Sequence, residues 1–303
     1  MYEPYYGLQE RPFDLSPNPR FLCFTAQHRE ALVHLQYGLT GRAGITMLVG
    51  EAGTGKTTLI RAALEAANDA STIVHLSNPT LTRAEFFDHL AAGFGFSSEA
   101  ARSKIQFLRE LERALDRNDG PTLAMVVDEA QSVPYELLEE IRLLTNAEAP
   151  NGRSLAVVLV GQPELARRLD EIRLRQLKQR VVLRCELTPL SLKDTAAYIK
   201  ARVRTAGGEA TQLFSRDAVV AIHNYSDGIP RVISVICDNA LVNGFAIDQK
   251  PVAAGTIHEV CRSLALDGNA VSHPVVPAPV PVARTPTVEP PMFAATRRRF
   301  SFF

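Results

Sequence analysis

Apolar residues fall along this chain in two rhythms, and the change from one to the other divides it. Short apolar runs bounded by turn residues recur at Ile45–Val49, Thr72–Leu76, Thr122–Val127, Leu155–Val160 and Val181–Leu187. Between them, at about 56–68, 82–94, 102–116, 134–146 and 163–178, apolar residues return every three or four positions. Short continuous runs predict strands buried on both faces, and helices between them predict parallel pairing through crossovers. A further helix is expected over Gln27–Thr40, from Ala31, Leu32, Leu35 and Leu39. After Pro189 the strand signals stop, and helical periods follow at about 191–206, 215–225, 230–246 and 255–265. Ser191 with Asp194 marks a capped helix start, and Gly207–Gly208 a stop.

The expected fold is therefore α/β: a three-layer core with a parallel five-stranded sheet, then a small all-helical domain. Residues 1–28, rich in Tyr, Phe and Pro, read as an irregular arm that packs on the main domain. Residues 29–188 are the core, 189–268 the helical domain, and 269–303 a Pro-rich tail ending in RRRFSFF. Proline at that density removes backbone donors and fixes φ, so the tail is expected to be extended and disordered.

Composition changes this picture little. Lys plus Arg and Asp plus Glu both total 33, and this balance gives no support for a strongly DNA-steered protein. Cys23, Cys185, Cys237 and Cys261 are far apart with no CxxC, so buried thiols in a reducing compartment are expected rather than disulfides. The start, MYEPYYGLQERPFDL, lacks the basic and apolar regions of a signal peptide, and no run approaches the roughly 20 apolar residues that span a bilayer. The expected location is cytoplasmic, or peripheral at the inner membrane.

Candidate chemistry starts where ITMLV runs into Gly50-Glu51-Ala52-Gly53-Thr54-Gly55-Lys56-Thr57, followed by Thr58 and a helix. This is G-x-x-x-x-G-K-[ST] between a strand and a helix, the context that gives the pattern its meaning. Glycines let the backbone curl until its N–H groups face phosphate oxygens, and the helix start adds positive charge density. Lys56 is placed on the β- and γ-phosphates and the Thr57 hydroxyl on Mg²⁺, which makes ATP and Mg²⁺ the expected cofactors. The strand TLAMVV ends in Asp128-Glu129, at the mouth of a parallel sheet. Asp128 is the expected metal partner and Glu129 the base that orients water. LAVVLVG then ends in Gln162, which either reaches the γ-phosphate or simply forms a turn before Pro163. Asn146 is ranked below it and reads equally as a helix end.

The stretches YYGLQERPFDLSPNPRFL, GEAGTGKTTLIRA, VVDEAQSVPYELLEEIRLLTN, LVGQPEL, LRQLKQRV and GIPRVISVICDNAL cover most of residues 5–245. In that order they resemble the AAA+ superfamily and, within it, the ExeA / general secretion pathway protein A group of ATPases. The resemblance implies a helical lid domain, with Gln162 as a sensor, Arg180 as an arginine finger reaching a neighbouring subunit, and Arg231 as the lid's sensor. Arg175 is the alternative finger. Phe21, His28 and Arg29 would flank the adenine. A homo-oligomer is implied, ring or spiral and expected to be hexameric. Longer members of the group carry a transmembrane helix and an extracytoplasmic wall-binding domain, and neither is expected in this chain.

Three functions compete. The leading one is a Mg-dependent, oligomeric ATPase serving a bacterial secretion, pilus or polysaccharide-export system, with an envelope-assembly protein as partner, docked through the tail. The alternative is an ATP-dependent DNA-binding regulator of transposition, and the zero net charge disfavours nucleic acid. A nucleotide-gated module that hardly turns over is the third, and Glu129 argues against it.

Overall fold

The computed structural model describes residues 1–16, 19–21, 25–40, 44–67, 71–77, 80–117 and 121–266. Cys23 and the expected tail at 269–303 lie outside them. Residues Met1–Asp267 form one compact unit. Among the described residues no helix is long and apolar enough to cross a membrane, and Cys185, Cys237 and Cys261 are buried thiols.

A short helix α1 (Glu3–Tyr6) and the longer α2 (Ala26–Gly38) precede strand β1 (Ile45–Gly50). Helix α3 (Lys56–Glu65) leads to β2 (Ser71–Leu76), and α4 (Arg83–Phe94), α5 (Ser98–Arg102) and α6 (Lys104–Asp116) lead to β3 (Thr122–Val127). Then come α7 (Tyr135–Leu144), β4 (Ala156–Gly161), α8 (Pro163–Leu169), α9 (Arg175–Lys178) and β5 (Val181–Leu187). The sheet order is β2-β3-β4-β1-β5, with every pair parallel.

The period-two geometry of strands sorts the core into two faces. Leu123, Met125, Val127, Val157 and Leu159 pack with α4, α6, α7 and α8. Their neighbours Ala124, Val126, Ala156, Val158 and Val160 face the other way, with α2 and α3. The three layers are thus present. Burial on both faces holds for β1, β3 and β4 but not for the edges. In β5, Val182, Arg184 and Glu186 are exposed while Cys185 and Leu187 are buried, because an edge strand covered on one face needs only every second residue apolar.

The continuous helix expected at 163–178 is broken, with a single 3₁₀ turn at Ile172–Leu174 between α8 and α9. Leu165 and Leu169 are four apart and buried, but the next buried leucines, Leu174 and Leu177, fall five and then three residues on. One helical face cannot hold all four. The break leaves Ile172 93% exposed.

Helices α10 (Leu192–Thr205), α11 (Ala210–Leu213), α12 (Arg216–Ser226), α13 (Pro230–Ala246) and α14 (Ala254–Ser263) build the second core. The Ser191 hydroxyl accepts the Asp194 N–H at 3.2 Å and so caps α10. The N-terminal arm does not pack on the sheet. Tyr2, Tyr6, Leu8, Phe13 and Phe21 are buried in this helical core instead. Tyr2 hydrogen-bonds Asp238, Tyr5 donates to Asp248 at 2.8 Å, and the Gln9 N–H meets the Ala206 carbonyl at 2.8 Å. Aromatic rings need a deep apolar surface, and both faces of the sheet are already covered by their own helices.

Candidate functional site

Strand β1 ends at the loop Gly50–Gly55, and α3 begins at Lys56, so the loop leaves the carboxyl edge of the sheet and feeds a helix N-terminus. Gly53 and Gly55 have φ of 83° and 101°, a backbone that L side chains rarely adopt. Gly50 is required for closeness: a Cβ there would stand 2.8 Å from Thr54 Oγ1 and 2.9 Å from the Leu187 carbonyl oxygen. Thr54 is buried and donates its hydroxyl to the Glu51 carbonyl at 2.8 Å. Lys56 is buried too, and its ammonium donates to the Gly50 and Glu51 carbonyls at 2.8 and 3.0 Å. Burial depresses its pKa, while Glu129, Asp128, Glu51 and Glu164 pull it back up.

His28 stands behind the loop. A carbonyl can only accept, so the His28 Nε2–H donates to Thr54 O (3.3 Å), and Nδ1 accepts the Thr25 hydroxyl (2.6 Å). Burial pushes the His28 pKa down from its ordinary 6.5.

Strand β3 delivers the acids beside β1's loop. Asp128 is buried, and its Oδ2 accepts the Thr57 hydroxyl at 3.3 Å. Its Oδ1 accepts the Glu129 N–H at 2.9 Å, which fits a backbone turned left-handed at Glu129, φ 50° and ψ 38°. A non-glycine residue held there costs about 1–3 kcal/mol, a strain typical of functional sites. The Glu129 carboxylate accepts from the side chain of Gln131 and, at 3.3 Å, from Gln162 Nε2. Gln162 lies at the end of β4, next to β3 in the sheet, and so comes beside Glu129 as its position in the chain suggested.

Among the described residues no group of three or more His, Cys, Asp or Glu is placed to cage a metal. One hydroxyl and one carboxylate, Thr57 and Asp128, nevertheless fit Mg²⁺, which keeps several waters and takes further oxygens from a nucleotide's phosphates.

The loop, Glu129 and the helical part together line a cleft of about 430 Å³. One wall is Ala52, Gly53, Gly55 and Lys56–Thr58; the facing wall is Asp14–Ser16, Tyr198, Arg202, Pro230, Arg231 and Ser234. Arg231 sits in the first turn of α13, and its N–H donates to the Gly53 carbonyl at 3.1 Å. The contact is close enough that a Cβ on Gly53 would come 2.7 Å from the Arg231 Cβ.

Arg180 is not part of this cleft. Its carbonyl accepts the N–H of Ile45, the first residue of β1, which puts it one strand length, about 20 Å, from the loop at β1's other end. Its guanidinium hydrogen-bonds Asn146. Arg175 begins α9 on the same stretch. The expected adenine flank is also rearranged. Phe21 is buried in the helical core under the Arg202 guanidinium, 5.5 Å from the ring centre, and His28 is occupied with the loop. Arg29 is exposed on α2, and Asp14–Ser16 and Tyr198 border the cleft instead.

Residues 39–169 match the model of the AAA domain family. The chain is 39% identical over 259 residues to general secretion pathway protein A of Aeromonas hydrophila, covering 85% of this chain and 47% of the relative. It thus spans about half the length of that curated relative. Among solved structures, the Aeropyrum pernix ORC2 protein superposes with a TM-score of 0.61 at 16% identity, covering 84% of this chain and 71% of that one. Cdc6p from Pyrobaculum aerophilum gives 0.61 at 19%, covering 83% and 70%. RuvB from Thermotoga maritima gives 0.53 at 16%, covering 80% and 70%. At these identities the structural likeness speaks for the fold.

Proposed function

Since the chain is an AAA ATPase of the general secretion pathway protein A family, homologous to that protein along about half of its length, we propose that it hydrolyses ATP with Mg²⁺ as an oligomer and serves a cell-envelope assembly or export system. The observation that carries the reading is Glu129, whose carboxylate lines one cleft with Lys56, Thr57 and Arg231. A carboxylate has no use in a purely phosphate-binding wall, where it repels the ligand. It has one where water must be aligned for in-line attack on a γ-phosphate.

In this reading the loop N–H groups and Lys56 hold the triphosphate, and Thr57 and Asp128 hold Mg²⁺, which when bound neutralises charge on the β- and γ-oxygens. Glu129 takes the attacking water's proton, and Gln162 aligns the water or the γ-phosphate. Arg231 brings a planar fork of donors from the helical part, so lid position and phosphate state are read together. Arg180, remote from its own cleft, is assigned to the neighbouring subunit's ATP. The partner is a protein of the envelope-assembly class, met on the cytoplasmic side.

The test is ATP turnover per subunit against protein concentration, for the wild type and Arg180→Ala, with and without duplex DNA. The expected rate climbs with concentration, collapses in Arg180→Ala and ignores DNA. A rate flat in concentration that survives the substitution sinks the trans-arginine assignment. Stimulation by DNA with a steep salt dependence moves the protein to a DNA-assembled regulator.

A further inference from the structure

The least expected residue at the site is Gln131, two positions beyond Glu129 in the 3₁₀ turn Ala130–Ser132. Its side chain is engaged at both ends. The amide oxygen accepts the backbone N–H of Gln162 at 3.1 Å, and the amide nitrogen donates to Glu129 Oε2. The first contact settles the second. A backbone N–H can only donate, so the amide oxygen must face it, and the NH₂ is left facing the carboxylate. Gln162's own amide has no such anchor; its Nε2 reaches the same Oε2 at 3.3 Å.

The fold spends several features on this placement. Gly161, the last residue of β4, leaves room for the amide: a Cβ there would stand 2.6 Å from Gln131 Oε1. The Gln131 carbonyl is held by the Arg168 guanidinium, which also donates to the Val133 carbonyl at 2.9 Å. That guanidinium lies over the Tyr135 ring, 4.5 Å from its centre. The turn carrying Gln131 is thus pinned from α8, while Glu129 itself sits on a left-handed backbone.

We propose that Gln131 is a positioning residue for hydrolysis. It saturates one oxygen of Glu129 and fixes the carboxylate plane, so that the other oxygen faces the attacking water, while Gln162 stays free to leave Glu129 for the γ-phosphate. This rests on Glu129 being the group that aligns water. The division of labour comes from the anchoring: a fixed donor keeps the base in place through the cycle, and a loosely held one can move with the nucleotide.

Gln131→Met keeps the length of the side chain and loses both hydrogen bonds. Gln131→Glu keeps an acceptor for the Gln162 N–H and sets a charge against Glu129. Both are compared with Glu129→Gln and with the double variant Gln131→Met/Glu129→Gln, by kcat, by KM and by affinity for a fluorescent ATP analogue. A carboxylate displaced by about an ångström is expected to lower kcat roughly tenfold to a hundredfold, more in Gln131→Glu, with KM and affinity unchanged. In the Glu129→Gln background the second substitution is expected to add nothing, because its effect passes through Glu129. If Glu129→Gln is inactive but Gln131→Met turns over like the wild type, the positioning role is overturned and the Glu129 reading stands. Loss of affinity along with turnover, or an effect that adds in the double variant, makes Gln131 a structural residue and also overturns it. If Glu129→Gln itself keeps full turnover, the base assignment falls and takes the proposal with it.

Discussion

The two walls of the nucleotide cleft are built in opposite ways. The phosphate-loop wall is one stretch of chain, Gly50–Thr58, in which backbone geometry and a buried lysine do the recognising. The facing wall gathers Asp14–Ser16, Tyr198, Arg202 and Arg231 from three distant parts of the sequence. The first is a rigid cradle on the sheet edge; the second hangs on the helical core and the arm buried in it. The difference assigns each its task. The cradle determines whether nucleotide binds, and the wall carried by the helical core converts binding into turnover.

Breaking the cradle should have the largest effect. Lys56→Ala removes the buried cation and is expected to cost at least about a hundredfold in ATP affinity, measured by equilibrium titration, because charge-assisted bonds to phosphate are the strong ones. Breaking the facing wall at its tip should act on rate instead. Arg231→Ala is expected to lower kcat about a hundredfold, the scale of one lost transition-state donor, with affinity changed only a few-fold. An equal loss in both quantities would erase the contrast between the walls.

A smaller effect is expected where the arm joins the facing wall. Arg202 donates to the Pro12 and Asp14 carbonyls at 3.1 and 3.0 Å and lies over Phe21 and Tyr198. Arg202→Ala should cost about 2 kcal/mol of stability by denaturant melting and raise proteolytic sensitivity of residues 1–16. Cleavage confined to the sheet helices would contradict the arm's attachment to the helical core.

The smallest effect concerns pH behind the cradle. His28 is neutral in the fold, with its pKa lowered by burial. The unfolded chain takes up a proton below the ordinary value of 6.5, so the His28 contribution is complete above that pH and is lost as pH falls below it. His28→Gln is expected to flatten the acid side of the stability curve measured by thermal melting from pH 5 to 8, chosen as about the range over which His titrates.

Legibility in the sequence divides along the same line as the two walls. Gly50–Thr57 and Asp128-Glu129 were legible because strand, loop and helix lie consecutively and each residue type has one physical reason to be there. The five strands were legible as apolar runs, although the exposed positions of β5 marked it as an edge rather than a buried strand. The arm's address was not legible, since clustered aromatics announce burial without saying in which core. Arg202 and Tyr198, one turn apart on α10, look like any half-apolar helix face until the arm is laid across them. Gln131 carried a faint signal, a second polar residue just past the acidic pair, but its meaning depends on β4 bringing the Gln162 N–H alongside. The broken helix at 163–178 was visible in the five-residue step from Leu169 to Leu174, which a coarse period overlooks.

The most direct measurement is a paired one on Glu129→Gln: affinity for ATP and rate of phosphate release, each against the wild type. A protein that binds ATP as tightly as the wild type while hydrolysing it at least about a hundredfold more slowly is the expected result. Undiminished phosphate release from that variant would contradict the assignment of Glu129 as the base.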